Sequence, residues 1–79
     1  MKVPRDVGAT DLINLLRRYG YSIIRQTGSH IRLSKLLDGG EHSITVPNHK
    51  PIKIGTLQSI ANDVCLVNSL NINDFYRQL

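Results

Sequence analysis

The fold is decided by residues 21–47, which read YSIIRQTGSHIRLSKLLDGGEHSITVP. Three runs in this stretch have the composition and alternation of β-strands, at about 21–27, 30–36 and 41–47. Gly28-Ser29 is a two-residue hairpin signal, because glycine takes the positive φ that the first position of a type II′ turn requires. Leu37-Asp38-Gly39-Gly40 provides turn chemistry for the second connection. Tight turns between consecutive strands predict an antiparallel three-stranded sheet with one buried face.

Alternation along the predicted strands separates an apolar face from a polar face. On the second strand, Ile31 and Leu33 share one face, and His30 begins the strand on the other. On the third strand, Pro47 ends the alternation, because proline cannot donate a hydrogen bond to the ladder. The polar face is expected to carry the side chains of His30, Arg32, Ser34, Ser43 and Thr45. The sequence therefore places a histidine on a rigid strand, with an arginine two residues further on.

Helical spacing of apolar residues flanks the strands on both sides. The first helix is predicted over residues 9–19, with Thr10 as its N-cap and Gly20 as its stop. A second helix is predicted to begin near Gly55-Thr56 and to end before Asn68, and Asn73 is expected to cap a last short helix. The apolar positions that define the two longer helices are Leu12, Ile13, Leu16 and Tyr19, and Leu57, Ile60, Ala61 and Val64.

The predicted fold is α+β in the order α-β-β-β-α with a short C-terminal helix, and residues 1–79 form one domain. Two helices of this length can cover only one face of a three-stranded sheet, so the other face is expected to stay open. Double-stranded RNA-binding domains have the same order of elements, although a fold by itself does not establish a function.

Composition narrows the possible functions. The net charge is +4, and residues 1–53 hold nine basic against four acidic side chains, so the positive field lies on the part that contains the hairpin. Phosphate backbones or an acidic protein are the natural partners of such a surface.

Cys65 is the only cysteine, which excludes an internal disulfide and argues against a zinc site. With no apolar run of about 20 residues and no signal-peptide pattern at the N-terminus, a cytoplasmic protein is expected.

The histidine and the arginine suggest RNA chemistry. RNA carries its own nucleophile, the 2′-hydroxyl, and a ribonuclease needs a base for that proton, an acid for the leaving 5′-oxygen and positive charge for the phosphorane. Imidazole can act as base or acid near neutral pH, and a guanidinium can hold two phosphate oxygens. The six acidic residues are scattered along the chain, so the carboxylate cluster of a metal-dependent nuclease is not expected. Thus no metal or other cofactor is predicted.

Several motifs, in order and at matching spacing, resemble the HicA toxins, also called YcfA-like proteins. They are Gly28-Ser29-His30 after Arg25-Gln26, Thr45-Val46-Pro47, His49, Lys53-Ile54-Gly55-Thr56-Leu57 and the final Asp74-Phe75. The opening Pro4-Arg5-Asp6 and Tyr19-Gly20-Tyr21 at the end of the first helix also fit, so the resemblance covers nearly the whole chain. It implies a small ribonuclease toxin with the fold of a double-stranded RNA-binding domain, which cleaves messenger RNA and is neutralised by a HicB antitoxin. The catalytic histidine of the family's Gly-Ser-His motif corresponds to His30.

The remaining candidate residues are assigned to RNA contact. Arg25 and Arg32 are predicted to contact phosphate, and Lys53 lies before a helix N-terminus, where free N–H groups attract anions. Gly28 and Ser29 are included because the turn lies beside His30, and the Ser29 hydroxyl could orient the imidazole or bind phosphate. The second catalytic group stays open between His49 and His42. Cys65 is expected to be a small buried side chain rather than a nucleophile.

Two other classes of protein fit part of the same pattern. A non-catalytic RNA-binding module would share the fold and the charge, and a protein-interaction domain would use the basic face for an acidic partner alone. A base-stacking single-strand binder is disfavoured, because no aromatic residue is expected on the open face.

Overall fold

The computed structural model describes residues 3–79. Its elements are α1 (Ala9–Arg18), β1 (Ser22–Thr27), β2 (His30–Leu37), β3 (Gly40–Pro47), α2 (Ile54–Asn68) and α3 (Ile72–Arg77). This α-β-β-β-α-α order confirms the predicted α+β class and is consistent with the fold of double-stranded RNA-binding domains. None of the helices in the described part of the chain has the length and apolar character needed to span a bilayer.

The sheet is antiparallel in the order β1-β2-β3, as the short turns predict. Gly28 has φ of 57°, and Ser29 is not among the residues with positive φ, which is the pattern of a type II′ turn. Thr27 and His30 face each other across this hairpin. His30 is therefore the first residue of β2, held at the start of a paired strand rather than in a loop.

The core lies between one face of the sheet and the helices. The buried side chains of the sheet are Ile31, Leu33, Ile44 and Val46. They join one apolar cluster with the buried residues of all three helices, including Leu12, Leu16, Leu57, Val64 and Phe75. The opposite face of the sheet contributes no residue to this cluster. The expected division into a covered face and an open face is thus confirmed for the described residues.

Two of the predicted helix caps are wrong. Helix α1 begins at Ala9 with Gly8 as N-cap, so Thr10 lies inside the first turn. The Gly8 N–H donates to the Asp11 carboxylate at 3.1 Å, and the Ala9 N–H donates to the His49 carbonyl at 3.1 Å. These contacts satisfy two donors at the helix start, so a hydroxyl cap is not needed there.

The C-terminal helix starts earlier than predicted for a different reason. The N-cap of α3 is Asn71, whose side-chain oxygen accepts from the N–H groups of Asn73 (2.9 Å) and Asp74 (3.1 Å). Asparagine is a good N-cap at either position, and the sequence alone does not choose between them. Ile72 then packs against the core.

Strand β2 offers a stability test with an internal control. The Leu33 side chain is fully buried, whereas Leu36, on the same strand, is 84% exposed. We expect Leu33→Ala to cost about 2–5 kcal/mol of the free energy of unfolding, because it leaves a cavity in a small core. Leu36→Ala should change it by less than about 0.5 kcal/mol. Urea unfolding followed by circular dichroism measures both, and equal effects would contradict the assignment of the two faces.

Candidate active site

The position of His30 is defined by its neighbours on both sides in the sheet. It pairs with Thr27 on β1 and with Pro47 on β3, and its side chain is exposed. The preceding turn is tied to the chain after β3, because the Asn48 N–H donates to the Ser29 carbonyl at 2.6 Å. His30 is therefore held on a backbone fixed from two directions, with its imidazole open to solvent.

Arg32 lies on the same face, one step along β2. Its guanidinium Nη1 donates to the Thr45 hydroxyl at 2.9 Å, and the two residues are paired across β2 and β3. This bond fixes part of a long side chain that would otherwise lose considerable rotamer freedom on binding a ligand. The remaining N–H groups of the guanidinium stay available for an anion.

Arg25 reaches the same face because of an irregularity in β1. The register of β1 shifts between Ile23 and Arg25, so that Ile24 is an extra residue, as in a β-bulge. Ile23 pairs with Leu33 on the apolar side of the sheet. If side chains alternated strictly along β1, the side chain of Arg25 would lie on that side as well. Instead Arg25 pairs with Arg32. The bulge therefore places Arg25 on the open face beside Arg32.

These residues surround one depression of about 290 Å³. Its lining consists of Arg25, Thr27, His30, Arg32 and Thr45, and we call it the basic cleft. Among residues 3–79, the carboxylates in salt bridges belong to Asp63 and Asp74, neither of which pairs with an arginine of this cleft. Two guanidinium groups on paired strand positions, without a compensating carboxylate, produce a local positive field that favours an anion.

Other sequence-predicted residues lie outside the basic cleft. Lys53 is the exposed N-cap residue of α2 and does not line the cleft. His49 lines a different depression together with Gly8, Asp11 and Lys50, and its carbonyl holds the start of α1. The structure thus brings His30 together with both arginines, but not with Lys53 or His49.

The sequence of this chain matches the model of one known protein family. The family model described as the HicA toxin of bacterial toxin–antitoxin systems matches residues 9–66, which is most of the chain. The protein belongs to the HicA toxin family. Comparison with curated proteins and with solved structures returned no match. The family makes this protein the toxin of a toxin–antitoxin pair, with an antitoxin as its partner.

In this HicA family member, His42 lies on the helix side of the sheet. Its Nδ1 is 2.6 Å from the Tyr21 hydroxyl, and its Nε2 is 3.0 Å from Asp63 Oδ2 without the alignment of a hydrogen bond. The hydroxyl of Tyr21 also accepts from Asn68 at 3.0 Å, and Asn68 contacts Lys35. These contacts connect the sheet to α2, so His42 does not share a cleft with His30.

Burial raises the pKa of Tyr21, which contacts α2 through Asn68, and of Cys65 within α2. Desolvation raises the pKa of the Tyr21 phenol, and the charge of Asp63 raises it further, against the opposing effect of the hydrogen bond from Asn68. Burial also raises the pKa of the Cys65 thiol. A thiol whose pKa is raised is a poor nucleophile at neutral pH, which agrees with Cys65 as a buried core residue.

Two residues of the basic cleft were not assigned a role from the sequence. Alternation along β3 predicts that Thr45 lies on the open face, and the parity of the two strands is the signal that could have indicated its hydrogen bond to Arg32. Thr27 was missed because the last residue of a strand beside a turn carries no strong pattern. Among residues 3–79, no three side chains of His, Cys, Asp or Glu are grouped closely enough to hold a metal ion.

Proposed function

We propose that this toxin is an endoribonuclease that cleaves messenger RNA, with His30 as its essential acid–base residue. One observation carries the proposal: an exposed histidine on a paired strand shares a cleft with two arginines that have no carboxylate partner. Position on a strand matters, because a general base must be held within hydrogen-bond reach of the proton that it removes.

The chemistry follows from what each side chain of the basic cleft can do. The neutral imidazole of His30 removes the proton of a 2′-hydroxyl, whose oxygen attacks the adjacent phosphorus. The guanidinium of Arg32, oriented by Thr45, donates to the phosphorane oxygens as negative charge accumulates on them. The bond to the 5′-oxygen then breaks. Its proton comes from solvent or from the imidazolium of His30, because the rest of this lining consists of arginine and threonine side chains, which are poor general acids.

The other RNA contacts extend from this centre. Arg25 faces Arg32 across the cleft and is proposed to hold the same phosphate or the next one. Gly28 and Ser29 form the turn next to His30, where the exposed backbone and the Ser29 hydroxyl can contact the ribose–phosphate chain. Lys53, at the start of α2, is proposed as an outer contact to the backbone and not as part of the reacting centre.

The partner of the toxin is proposed to be a HicB-type antitoxin, and the site of action the cytoplasm, where messenger RNA is available. The support is the toxin family together with the basic surface, which would steer an acidic protein to the sheet.

Cleavage is expected to need no metal ion. The acidic side chains in the described part of the chain do not form a cluster, so the protein supplies no carboxylate set for two-metal catalysis. Incubation of the protein with a long transcript in EDTA should therefore still produce cleavage, and the products should end in 2′,3′-cyclic phosphate or 3′-phosphate. Loss of activity in EDTA that Mg²⁺ restores, or products with 3′-hydroxyl ends, would contradict this.

The same incubation separates the proposed function from its alternatives. Retention of the transcript on a native gel without any cleavage would identify a non-catalytic RNA-binding module. Neither cleavage nor retention would identify a domain that binds only protein. A misfolded preparation is excluded when the antitoxin still binds it and circular dichroism shows the expected α+β content.

A further inference from the structure

The open face of the sheet continues beyond the basic cleft into a second depression. This depression has a volume of about 470 Å³, and we call it the mixed depression. The lining residues used in the argument are Ser22, Ile24, Ser34, Leu36 and Glu41. They come from all three strands, so the depression is part of the rigid sheet and not of a loop.

The two depressions are aligned along β2. His30, Arg32, Ser34 and Leu36 point to the same face, and successive members are two residues apart, or about 6.8 Å. The partner of Arg32 is Thr45 in the basic cleft, and the partner of Leu36 is Glu41 in the mixed depression. Leu36 and Glu41 lie two such steps, or about 14 Å, from Arg32, a distance that the base of a nucleotide adjoining the phosphate at Arg32 can span.

The mixed depression differs from the basic cleft in its chemistry. Ile24 and Leu36 are 57% and 84% exposed, so the depression presents two large apolar side chains to solvent. Glu41 lines the same depression, and one of its oxygens, Oε2, accepts from the Ser34 hydroxyl at 2.8 Å. Neither of the two salt bridges formed by residues 3–79 includes Glu41, so its carboxylate keeps acceptor capacity.

We propose that the mixed depression is a nucleobase subsite that lies next to the scissile phosphate and discriminates against uracil. This proposal rests on the proposed ribonuclease function and specifies its substrate recognition. The aliphatic side chains of Ile24 and Leu36 contact the face of the base, as apolar side chains do in pockets that hold an unstacked base. The free oxygen of Glu41 accepts from an amino group of guanine, adenine or cytosine. Uracil has no amino group, and its one edge donor, N3–H, lies between two carbonyl oxygens that repel the carboxylate.

The mixed depression is continuous with the basic cleft, and its charges favour a nucleobase as the group that binds in it. A phosphate is disfavoured at the carboxylate of Glu41, and the ammonium of Lys35, which also lines the depression, is bound to Asn68 on the helix side. The backbone of a bound strand therefore stays beside Arg25 and Arg32, and its base extends along β2. An acidic protein segment, the other candidate for this surface, would meet the same repulsion at Glu41. Bases have uncharged edges with donors, which suit a carboxylate beside apolar groups.

The decisive variant is Glu41→Gln, which keeps the shape and the acceptor for Ser34. In the wild type, sequencing of the ends produced from a long mixed transcript should show depletion of uracil on one side of the cleaved bond. In Glu41→Gln that depletion should fall by about fivefold or more, because an amide can donate to a uracil carbonyl. Asp38→Asn is the matched control: it removes the same charge from the exposed β2–β3 turn and should leave the pattern unchanged.

A second pair of variants tests the apolar contact. Leu36→Ala should weaken the base preference, whereas Leu66→Ala should not, although Leu66 on α2 is similarly exposed at 82%. An identical base pattern in the wild type and Glu41→Gln would overturn the subsite. So would a Leu36→Ala protein that keeps the wild-type pattern but loses binding to the antitoxin, because that result would identify a protein-docking surface. If His30→Ala is inactive while Glu41→Gln keeps the wild-type pattern, the subsite fails and the ribonuclease proposal stands.

Discussion

Replacing His30 by alanine is expected to reduce RNA cleavage by about 10²–10⁴-fold, the contribution that a positioned acid–base group typically makes. Expression of His30→Ala should no longer arrest growth. The side chain is exposed at the start of β2, so its removal leaves no cavity and the fold should be retained. Cleavage of a labelled transcript measures the loss, and thermal unfolding confirms that the variant is folded.

His49→Ala is the matched control for this substitution. It removes the same imidazole from an exposed position outside the basic cleft, so cleavage should stay within a few-fold of the wild type. Full activity in a folded His30→Ala protein would contradict the catalytic role of His30. A loss as large in His49→Ala would instead show that the second histidine participates.

Reversing the charge of Arg32 is expected to impair two functions together. Arg32→Glu should lower cleavage by about 10²–10³-fold, because it removes a donor to the phosphorane and places a negative charge beside the phosphate. It should also weaken binding of the antitoxin if, as we propose, the antitoxin covers the sheet face that carries His30 and Arg32. Both losses should be larger at low salt than at high salt, since exposed charges are screened. Cleavage of a labelled transcript and calorimetry of antitoxin binding, each at two salt concentrations, measure these losses, and filter binding of the transcript gives the accompanying loss of RNA binding.

Lys53→Glu makes the same change of charge outside the basic cleft. A glutamate near a helix N-terminus suits the helix dipole, so folding should not suffer. We expect a smaller loss of RNA binding than in Arg32→Glu, and combining the two substitutions should weaken RNA and antitoxin binding further. Equal single effects would indicate that only the net charge of the protein matters.

Hydrogen exchange of the toxin–antitoxin complex tests directly whether the antitoxin covers the sheet face that carries His30 and Arg32. Coverage of the sheet face should slow exchange in Ile31–Lys35. Protection confined to residues 9–19 and 57–67, with Ile31–Lys35 unchanged, would mean that the antitoxin binds the helices and acts at a distance. An inhibitor that covers the histidine needs no conformational change in the toxin, which suits a domain with so small a core.

Local patterns in the sequence were sufficient for the strands, the hairpin and the position of His30. Strict alternation of apolar and polar residues on β2 and β3 leaves one register in which Leu33 and Val46 are buried, because a shift of one residue would expose every apolar side chain. The same alternation places Arg32 beside His30 on the open face. A two-residue turn then leaves little freedom in how β1 meets β2.

Tertiary structure decided the features that depend on partners distant in the sequence. The direction of Arg25 depends on a bulge at Ile24, and no local signal separates a bulged strand from a regular one there. The start of α1 depends on the His49 carbonyl, 40 residues along the chain, which satisfies the Ala9 N–H. His42 is directed to Tyr21 and Asp63 because α2 packs over the end of the sheet. The sequence by itself determined the strands and which face carries the histidine, since those follow from local periodicity. Only the packed structure determined which charges share its cleft, since that follows from contacts between elements.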